Sequence, residues 1–183
     1  MILLCLLATS LAWATPGEED AVQASATLWS ATLAGPLSQA KQTVGDKSTE
    51  LLGRAMGLLG IPYKHGGSSE KTGFDCSGFV RHLYEKSFGK LLPRRADDQA
   101  KATETIDASE LQPGDLVFFN TMRRTFSHVG LYVGDGKFIH SPQTGKSVQI
   151  DDMRAAYWQK RFSGARRVQT PPQSEPSPNE NKR

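Results

Sequence analysis

The sequence predicts an α+β fold in which helices come first and short antiparallel strands follow. Apolar residues recur at helical spacing over Leu51–Leu59 and again over Phe79–Tyr84. From Leu116 onward the period changes, and short apolar runs alternate with turns that contain glycine, proline or Asp-Gly. Helices followed by a run of strands are typical of an α+β domain, so we expect helices packed on a small antiparallel sheet or half-barrel.

The chain of 183 residues, with a formal net charge of +3, fits one folded domain and gives no indication of a nucleic-acid partner. Residues 1–14 are typical of a signal peptide, because an apolar run ends in an A-x-A cleavage pattern. This run is shorter than the ~20 residues of a membrane-spanning helix, so we expect export rather than a stable membrane span. Residues 15–47 are predicted to be a flexible linker and residues 170–183 a disordered tail. The folded domain is therefore predicted over residues 48–169, in a protein that is exported to the periplasm or cell envelope and is monomeric.

The first helix should end at Gly60-Ile61-Pro62, because proline disfavours a helical residue before it. The second helix should begin at Cys76, with Asp75 as its N-cap and an apolar stripe facing the core. The strands are predicted at Leu116–Asn120, His128–Val133, Lys137–Ser141, Val148–Ile150 and Ala165–Val168.

Cys76 is the candidate nucleophile. Cys5 lies in the predicted signal peptide, so the mature chain would hold one thiol and no internal disulfide. A lone cysteine can also be a small buried hydrophobe. At a helix N-terminus, however, unpaired N–H groups and the macrodipole favour a thiolate, and we expect the pKa of Cys76 to be lowered. The same N–H groups could bind an oxyanion, while Ser77 and Gly78 leave room for substrate.

Four histidines could supply a base for this thiol. His82 lies about 240° around the predicted helix from its first residue, so it should point away. His65 precedes two glycines in a loop and could line a site. His128 and His140 flank a predicted hairpin whose turn is Gly134-Asp135-Gly136, so they are expected to lie close together.

The register of that hairpin decides whether the two histidines share a face. A two-residue turn would pair Leu131 with His140 and place His128 on the other face. A three-residue loop, or an equivalent bulge, pairs Gly130 with His140 and places His128 on the same face, one diagonal step away. We expect the second register, because it also gathers the apolar side chains on the core face: Val129, Leu131, Val133 and Ile139.

Cys76, His128 and His140 then form a nucleophile, a base and an orienting residue, in the chain order of papain-like peptidases. A zinc site is the competing interpretation, but the three residues lack the close ligand pairs of structural zinc sites. We therefore expect no metal, and the absence of a glycine-rich phosphate loop from the sequence agrees with an expectation of no cofactor.

Five ordered motifs, together with the ending Tyr157–Phe162, match a known pattern over nearly all of residues 48–169. The motifs are Gly60–Gly67, Asp75–Phe79, Leu92–Arg94, Leu111–Phe119 and His128–Gly134. In these motifs the sequence resembles the NlpC-type cell-wall cysteine peptidases, and its ending resembles the Spr-like murein endopeptidases of Gram-negative bacteria.

This resemblance implies a reduced papain-like fold and hydrolysis of peptide bonds in the stems or cross-links of peptidoglycan. Cys76 would attack, with His128 as base and His140 as polar third member. Tyr63 matches a tyrosine beside the nucleophile, although it could be only a packed aromatic. Asp75 matches a residue of the substrate subsite, although it could be only a helix cap.

Ser77 and Arg94 complete the predicted substrate-binding residues. Arg94, with Arg95, Arg123 and Arg124, could hold an anionic polymer, although exposed basic clusters are commonly just solvated.

Two other functions are alternatives: a non-catalytic wall-binding module, and a papain-like acyltransferase. A wall-binding module needs neither a thiol nor a base. An acyltransferase would be expected to have a groove lined with apolar groups for its lipid, whereas this sequence has the polar run Ser68–Lys71.

Overall fold

The computed structural model describes residues 47–169. The predicted signal peptide, the predicted linker up to residue 46 and the predicted tail lie outside the described residues. Residue 47 is already helical, so the first helix includes the last residue that was assigned to the linker. No helix within the described range is long and apolar enough to cross a bilayer.

The two predicted helices and five predicted strands occur in the expected order, with further short elements between them. Helix α1 covers residues 47–57 within the described range. It is followed by β1 (Ser68–Ser69), β2 (Gly73–Phe74), α2 (Cys76–Phe88), α3 (Ala96–Lys101), β3 (Glu104–Ile106) and a 3₁₀ turn (Ala108–Glu110). The remaining elements are β4 (Leu116–Phe119), β5 (His128–Gly134), β6 (Lys137–His140), β7 (Gln149–Asp152), α4 (Ala156–Gln159) and β8 (Phe162–Arg167).

Six of the strands form one antiparallel sheet in the order β3-β8-β4-β5-β6-β7. Strands β1 and β2 pair separately and lead directly into α2. Since β3 and β7 are edge strands, the sheet is open, and the predicted α+β class is confirmed.

The core lies on both faces of this sheet because side chains alternate along each strand. Helices α1 and α2 cover one face, where the buried side chains include Leu51, Ala55, Phe79, Leu83, Leu116, Phe118, Val129, Leu131 and Ile139. A smaller cluster occupies the other face and consists of Val117, Phe119, Phe138 and Trp158.

The β5–β6 hairpin has the register that the sequence predicts. Leu131 pairs with Ile139, and a bulge follows before Gly134 pairs with Lys137. Two residues in left-handed conformations, Asp135 and Gly136, form the turn. The bulge therefore restores the register of a three-residue loop, and Val129, Leu131 and Ile139 face α1 and α2.

Several elements differ from the sequence-based expectation. Met56 and Leu59 are 44% and 40% exposed, because the buried face of α1 follows Leu51, Ala55 and Leu58. The short elements β1, β2, β3, α3 and α4 were not predicted. Strand β8 begins earlier than predicted, at Phe162, and β7 continues two residues past Ile150 into a pair of aspartates. Aspartate has low strand propensity, but backbone pairing with β6 holds these two residues in the sheet.

Candidate active site

Cys76 is the first residue of α2. As predicted, Asp75 caps this helix, accepting a hydrogen bond of 2.8 Å from the Gly78 N–H to its Oδ1. The helix start packs tightly on the preceding loop, since a Cβ added at Gly78 would lie 2.1 Å from the Gly67 carbonyl oxygen. This close backbone packing fixes the position of Cys76. The backbone N–H groups of Ser77 and Val129 lie within hydrogen-bonding range of its thiol.

His128 and His140 are in direct contact, as the register predicts. The first residue of β5 and the last residue of β6 place His128 Nε2 2.7 Å from His140 Nδ1. Their rings are nearly perpendicular, and both residues are buried. Because His128 Nε2 faces His140, Nδ1 is the ring nitrogen of His128 that is left for the thiol, and His128 lines the same groove as Cys76.

A carboxylate that the sequence analysis did not identify lies behind the two histidines. Asp151 Oδ2 is 3.1 Å from His140 Nε2 and also accepts a 3.1 Å hydrogen bond from Trp158 Nε1. Its Oδ1 accepts a 3.0 Å hydrogen bond from Gln149 Nε2. The Trp158 ring also stacks on His128, with ring centroids 5.7 Å apart. The site thus contains a continuous series of polar contacts from His128 through His140 to Asp151.

The expected lowering of the Cys76 pKa is wrong for the unliganded site. Burial raises the pKa of the Cys76 thiol to about 11, and the lowering effect of the nearby Val129 and Ser77 N–H groups is smaller. Burial together with the neighbouring His140 lowers the pKa of His128 to about 3. Burial also lowers the pKa of His140, although Asp151 opposes this effect. The thiol and both imidazoles are therefore uncharged at neutral pH.

Cys76 lies where two lobes of a surface groove meet. One lobe, of about 620 Å³, is lined by His128, Gln149 and Trp158. The other, of about 440 Å³, is lined by residues such as His65 and Arg94. The residues common to both lobes are Tyr63, Cys76, Met122 and Ser127. The thiol is thus open to a chain that extends in both directions.

The four predicted substrate-binding residues lie together in the smaller lobe. Arg94 forms a bidentate pair with Asp75, with distances of 2.9 Å and 2.5 Å, and donates a 3.0 Å hydrogen bond to Ser77 Oγ. Asp75 is therefore both a helix cap and an ion-pair partner, and Arg94 is not an isolated cation. Burial, Cys76 and Asp75 raise the pKa of Tyr63, whose hydroxyl makes no hydrogen bond within residues 47–169.

The other two histidines do not join this cluster. His82 lies 3.2 Å from a Glu70 carboxylate oxygen and packs on Phe74, consistent with its predicted direction away from the thiol. His65 lines the smaller lobe. Among the described residues, no group of three or more histidine, cysteine, aspartate or glutamate side chains is arranged to hold a metal ion.

Comparison with known proteins identifies the family. The family model described as "NlpC/P60 family" matches residues 60–167, more than half of the chain. The chain belongs to the NlpC/P60 family.

Two curated relatives of this NlpC/P60 chain have different named activities. Murein DD-endopeptidase MepH of Escherichia coli K12 is 45% identical over 141 residues, which cover 75% of this chain and 52% of the relative. The γ-D-glutamyl-L-lysine dipeptidyl-peptidase of Bacillus subtilis 168 is 41% identical over 134 residues, covering 72% of this chain and 43% of the relative. The chain thus spans about half the length of these relatives.

A solved structure agrees with this assignment. The crystal structure of an NlpC/P60 family protein from Bacillus cereus ATCC 10987 superposes with a TM-score of 0.61 and 38% identity. The match covers 66% of this chain and 39% of the other.

Asp151 and Trp158 are the two residues of this NlpC/P60 site that sequence analysis missed. The alternation along β7 could have identified Asp151, because Gln149 pairs with His140 and Asp151 lies two residues further along the same face. Trp158 lies in the ending Tyr157–Phe162 that contributes to the family resemblance, but it belongs to a four-residue helix and reaches the site only through tertiary packing, so its role there was not predicted.

Proposed function

We propose that this chain is a peptidoglycan hydrolase that cleaves peptide bonds with Cys76 as nucleophile, His128 as base and His140 as the polar third member. The observation that carries the proposal is the position of Cys76 between two groove lobes, beside a buried histidine pair. An endopeptidase must hold substrate on both sides of the bond that it cuts, and this groove has room on both sides. The names of the relatives support hydrolysis rather than wall binding alone or acyl transfer.

The first chemical step is attack of the thiol on the peptide carbonyl, which gives a tetrahedral intermediate. Because the resting thiol is neutral, His128 Nδ1 accepts the thiol proton as Sγ attacks the peptide carbonyl carbon, rather than beforehand. The carbonyl oxygen becomes an oxyanion. The Cys76 backbone N–H, which has no hydrogen-bond partner among residues 47–169, and the Tyr63 hydroxyl are the donors placed to receive it.

The remaining steps release the two products. The tetrahedral intermediate collapses to a thioester, the C–N bond breaks, and the imidazolium of His128 gives its proton to the leaving amine. Water, deprotonated by the same imidazole, then attacks the thioester and restores the thiol. The carboxyl product leaves with the oxygen of that water, so one water is consumed for each bond cut.

The Arg94–Asp75–Ser77 cluster is proposed to bind the substrate backbone and polar groups in the smaller lobe. Arg94 and Asp75 compensate each other's charge, so the pair offers directional hydrogen bonds more than a net charge. Met122 and Arg124 also line this lobe. The lobe therefore suits a peptide carrying both amide and carboxylate groups, as the stems of peptidoglycan do.

The proposed place of action is the cell envelope, after export by the apolar segment at residues 1–14. N-terminal sequencing of protein from the envelope fraction tests this proposal, and a mature terminus at Thr15 is expected. Recovery of an intact Met1 terminus from the cytoplasm would contradict it. The molecular mass of the mature protein in solution tests the proposal that it is a monomer.

Mass spectrometry of purified muropeptides after digestion by the full chain tests the proposed activity. Cleavage of a cross-linked dimer into monomers indicates the D-Ala to diaminopimelate cross-link as substrate. Release of a dipeptide-containing fragment indicates the γ-D-glutamyl stem bond. Muropeptides of unchanged mass after prolonged digestion would contradict the proposal.

A further inference from the structure

Asp151 ends the polar series that runs from His128 through His140, and its partly exposed side chain lines the larger lobe of the groove. It contacts His140 Nε2 on one side and is fixed by Trp158 and Gln149 on the other. We propose that Asp151 is a positioning residue that sets the tautomers of His140 and His128, and so keeps the His128 lone pair directed toward Cys76. This inference rests on the proposed thiol mechanism.

The direction of each hydrogen bond follows from the chemistry of the groups. Trp158 Nε1–H can only donate, and it donates to the same Oδ2 that faces His140 Nε2. An ionised carboxylate can only accept, and the contacts with His140, Gln149 and Trp158 lower the pKa of Asp151. His140 must therefore carry a proton on Nε2.

The same logic continues to His128. A neutral imidazole with its proton on Nε2 has a bare lone pair on Nδ1, so His140 accepts at Nδ1. The 2.7 Å contact then requires His128 Nε2 to donate. A neutral His128 with its proton on Nε2 has its lone pair on Nδ1, which is the nitrogen required to accept a proton from Cys76.

Burial makes this arrangement depend on Asp151. His140 is fully buried, whereas the Asp151 side chain is 27% exposed. Without the carboxylate, the buried His140 would have no charged acceptor at Nε2 to fix its tautomer. The opposite tautomer would point an N–H from His140 Nδ1 at His128, place the His128 proton on Nδ1 and remove the lone pair from the side of Cys76.

Asp151 could instead serve only to tie β7 to Trp158, and a tautomer measurement separates these roles. In the parent protein labelled with ¹⁵N, ring-nitrogen chemical shifts should show both His128 and His140 protonated on Nε2. This measurement needs no variant and no turnover. A parent protein with His140 protonated on Nδ1 would overturn the proposal.

Variants give the second part of the test. Asp151→Ala should shift His140 toward the Nδ1–H tautomer and lower kcat about 10- to 100-fold, as for other groups that orient a reacting residue, with little change in KM. Asp151→Asn keeps a carbonyl acceptor and should recover most of that loss. Parent-like tautomers and kcat in Asp151→Ala, or an Asn variant as slow as the Ala variant, would contradict the assignment.

Asp115→Ala is the matched control. Asp115 is buried and, like Asp151, is a paired carboxylate, but its partner is Arg167 at 2.7 Å and 2.8 Å and it does not line the groove. Its loss should lower Tm and leave both histidine tautomers unchanged, which is the pattern of a purely structural carboxylate. If Asp151→Ala shows that same pattern, Asp151 is structural. If the parent cleaves no muropeptide, the proposed function fails, while the tautomer measurement still decides the role of Asp151.

Discussion

Gly130→Ala should disable the site without altering any of its reacting groups. Gly130 lies on β5 opposite His140, and a Cβ at this position would be 2.5 Å from Phe138 Cδ2, 3.0 Å from the Ile139 carbonyl oxygen and 3.2 Å from His140 Cβ. Carbon atoms prefer separations of about 3.5–4.0 Å, so the Phe138 ring must move by about 1 Å. Phe138 and His140 are packed on each other, so this movement displaces the histidine pair.

The magnitude follows from two effects. Overpacking of a buried site costs about 1–3 kcal/mol of folding free energy. A misplacement of about 1 Å in a reacting group can lower the rate about 100-fold. We therefore expect Gly130→Ala to retain the fold with a reduced Tm, and to lose about 100-fold in muropeptide turnover when assayed well below that Tm.

Gly53→Ala is the matched control for this substitution. Gly53 lies in α1 with nothing within 4 Å of its added Cβ, so alanine should stabilise the helix by up to about 1 kcal/mol and leave turnover unchanged. Turnover at the parent rate in Gly130→Ala, with unchanged Tm, would show that the β5–β6 face has room for a methyl group. The account of how His140 is positioned would then be wrong.

Two further predictions concern the histidines and the thiol. His128→Ala removes the base and should reduce turnover to background, whereas His140→Ala leaves a mobile base and should lower turnover about 10- to 1,000-fold. Measurement of kcat for both variants tests this, and the reverse order would exchange the two roles. Because the pKa of Cys76 is raised to about 11, the thiolate fraction of Cys76 continues to increase up to that pH. The rate of iodoacetamide labelling of Cys76, measured by peptide mapping, should therefore still rise above pH ~8.5, which is the pKa of unperturbed cysteine. A rate that reaches its plateau below neutral pH would instead indicate a resting thiolate–imidazolium pair.

The features that could be predicted from sequence depend on local rules. The N-cap at Asp75 and the helix that starts at Cys76 follow from residues next to each other in the chain. The hairpin register follows from turn residues and the alternation of apolar side chains, so the contact between His128 and His140 could be anticipated.

The features that were missed depend on tertiary packing. The protonation state of Cys76 was predicted wrongly because the helix N-terminus is visible in the sequence, whereas burial of the thiol is not. Asp151 was missed because the predicted strand ended at Ile150, and acidic residues at a strand end resemble a loop.

The central claim is that Cys76 is the nucleophile of a peptidoglycan peptidase, and comparison of the parent with Cys76→Ala on purified muropeptides tests it most directly. Thermal unfolding and circular dichroism of both proteins establish that the fold is retained. We expect the parent to release products that are heavier in sum than the substrate by one water, and Cys76→Ala to release none. Digestion by Cys76→Ala at the parent rate would contradict the assignment of Cys76 and, with it, the thiol mechanism.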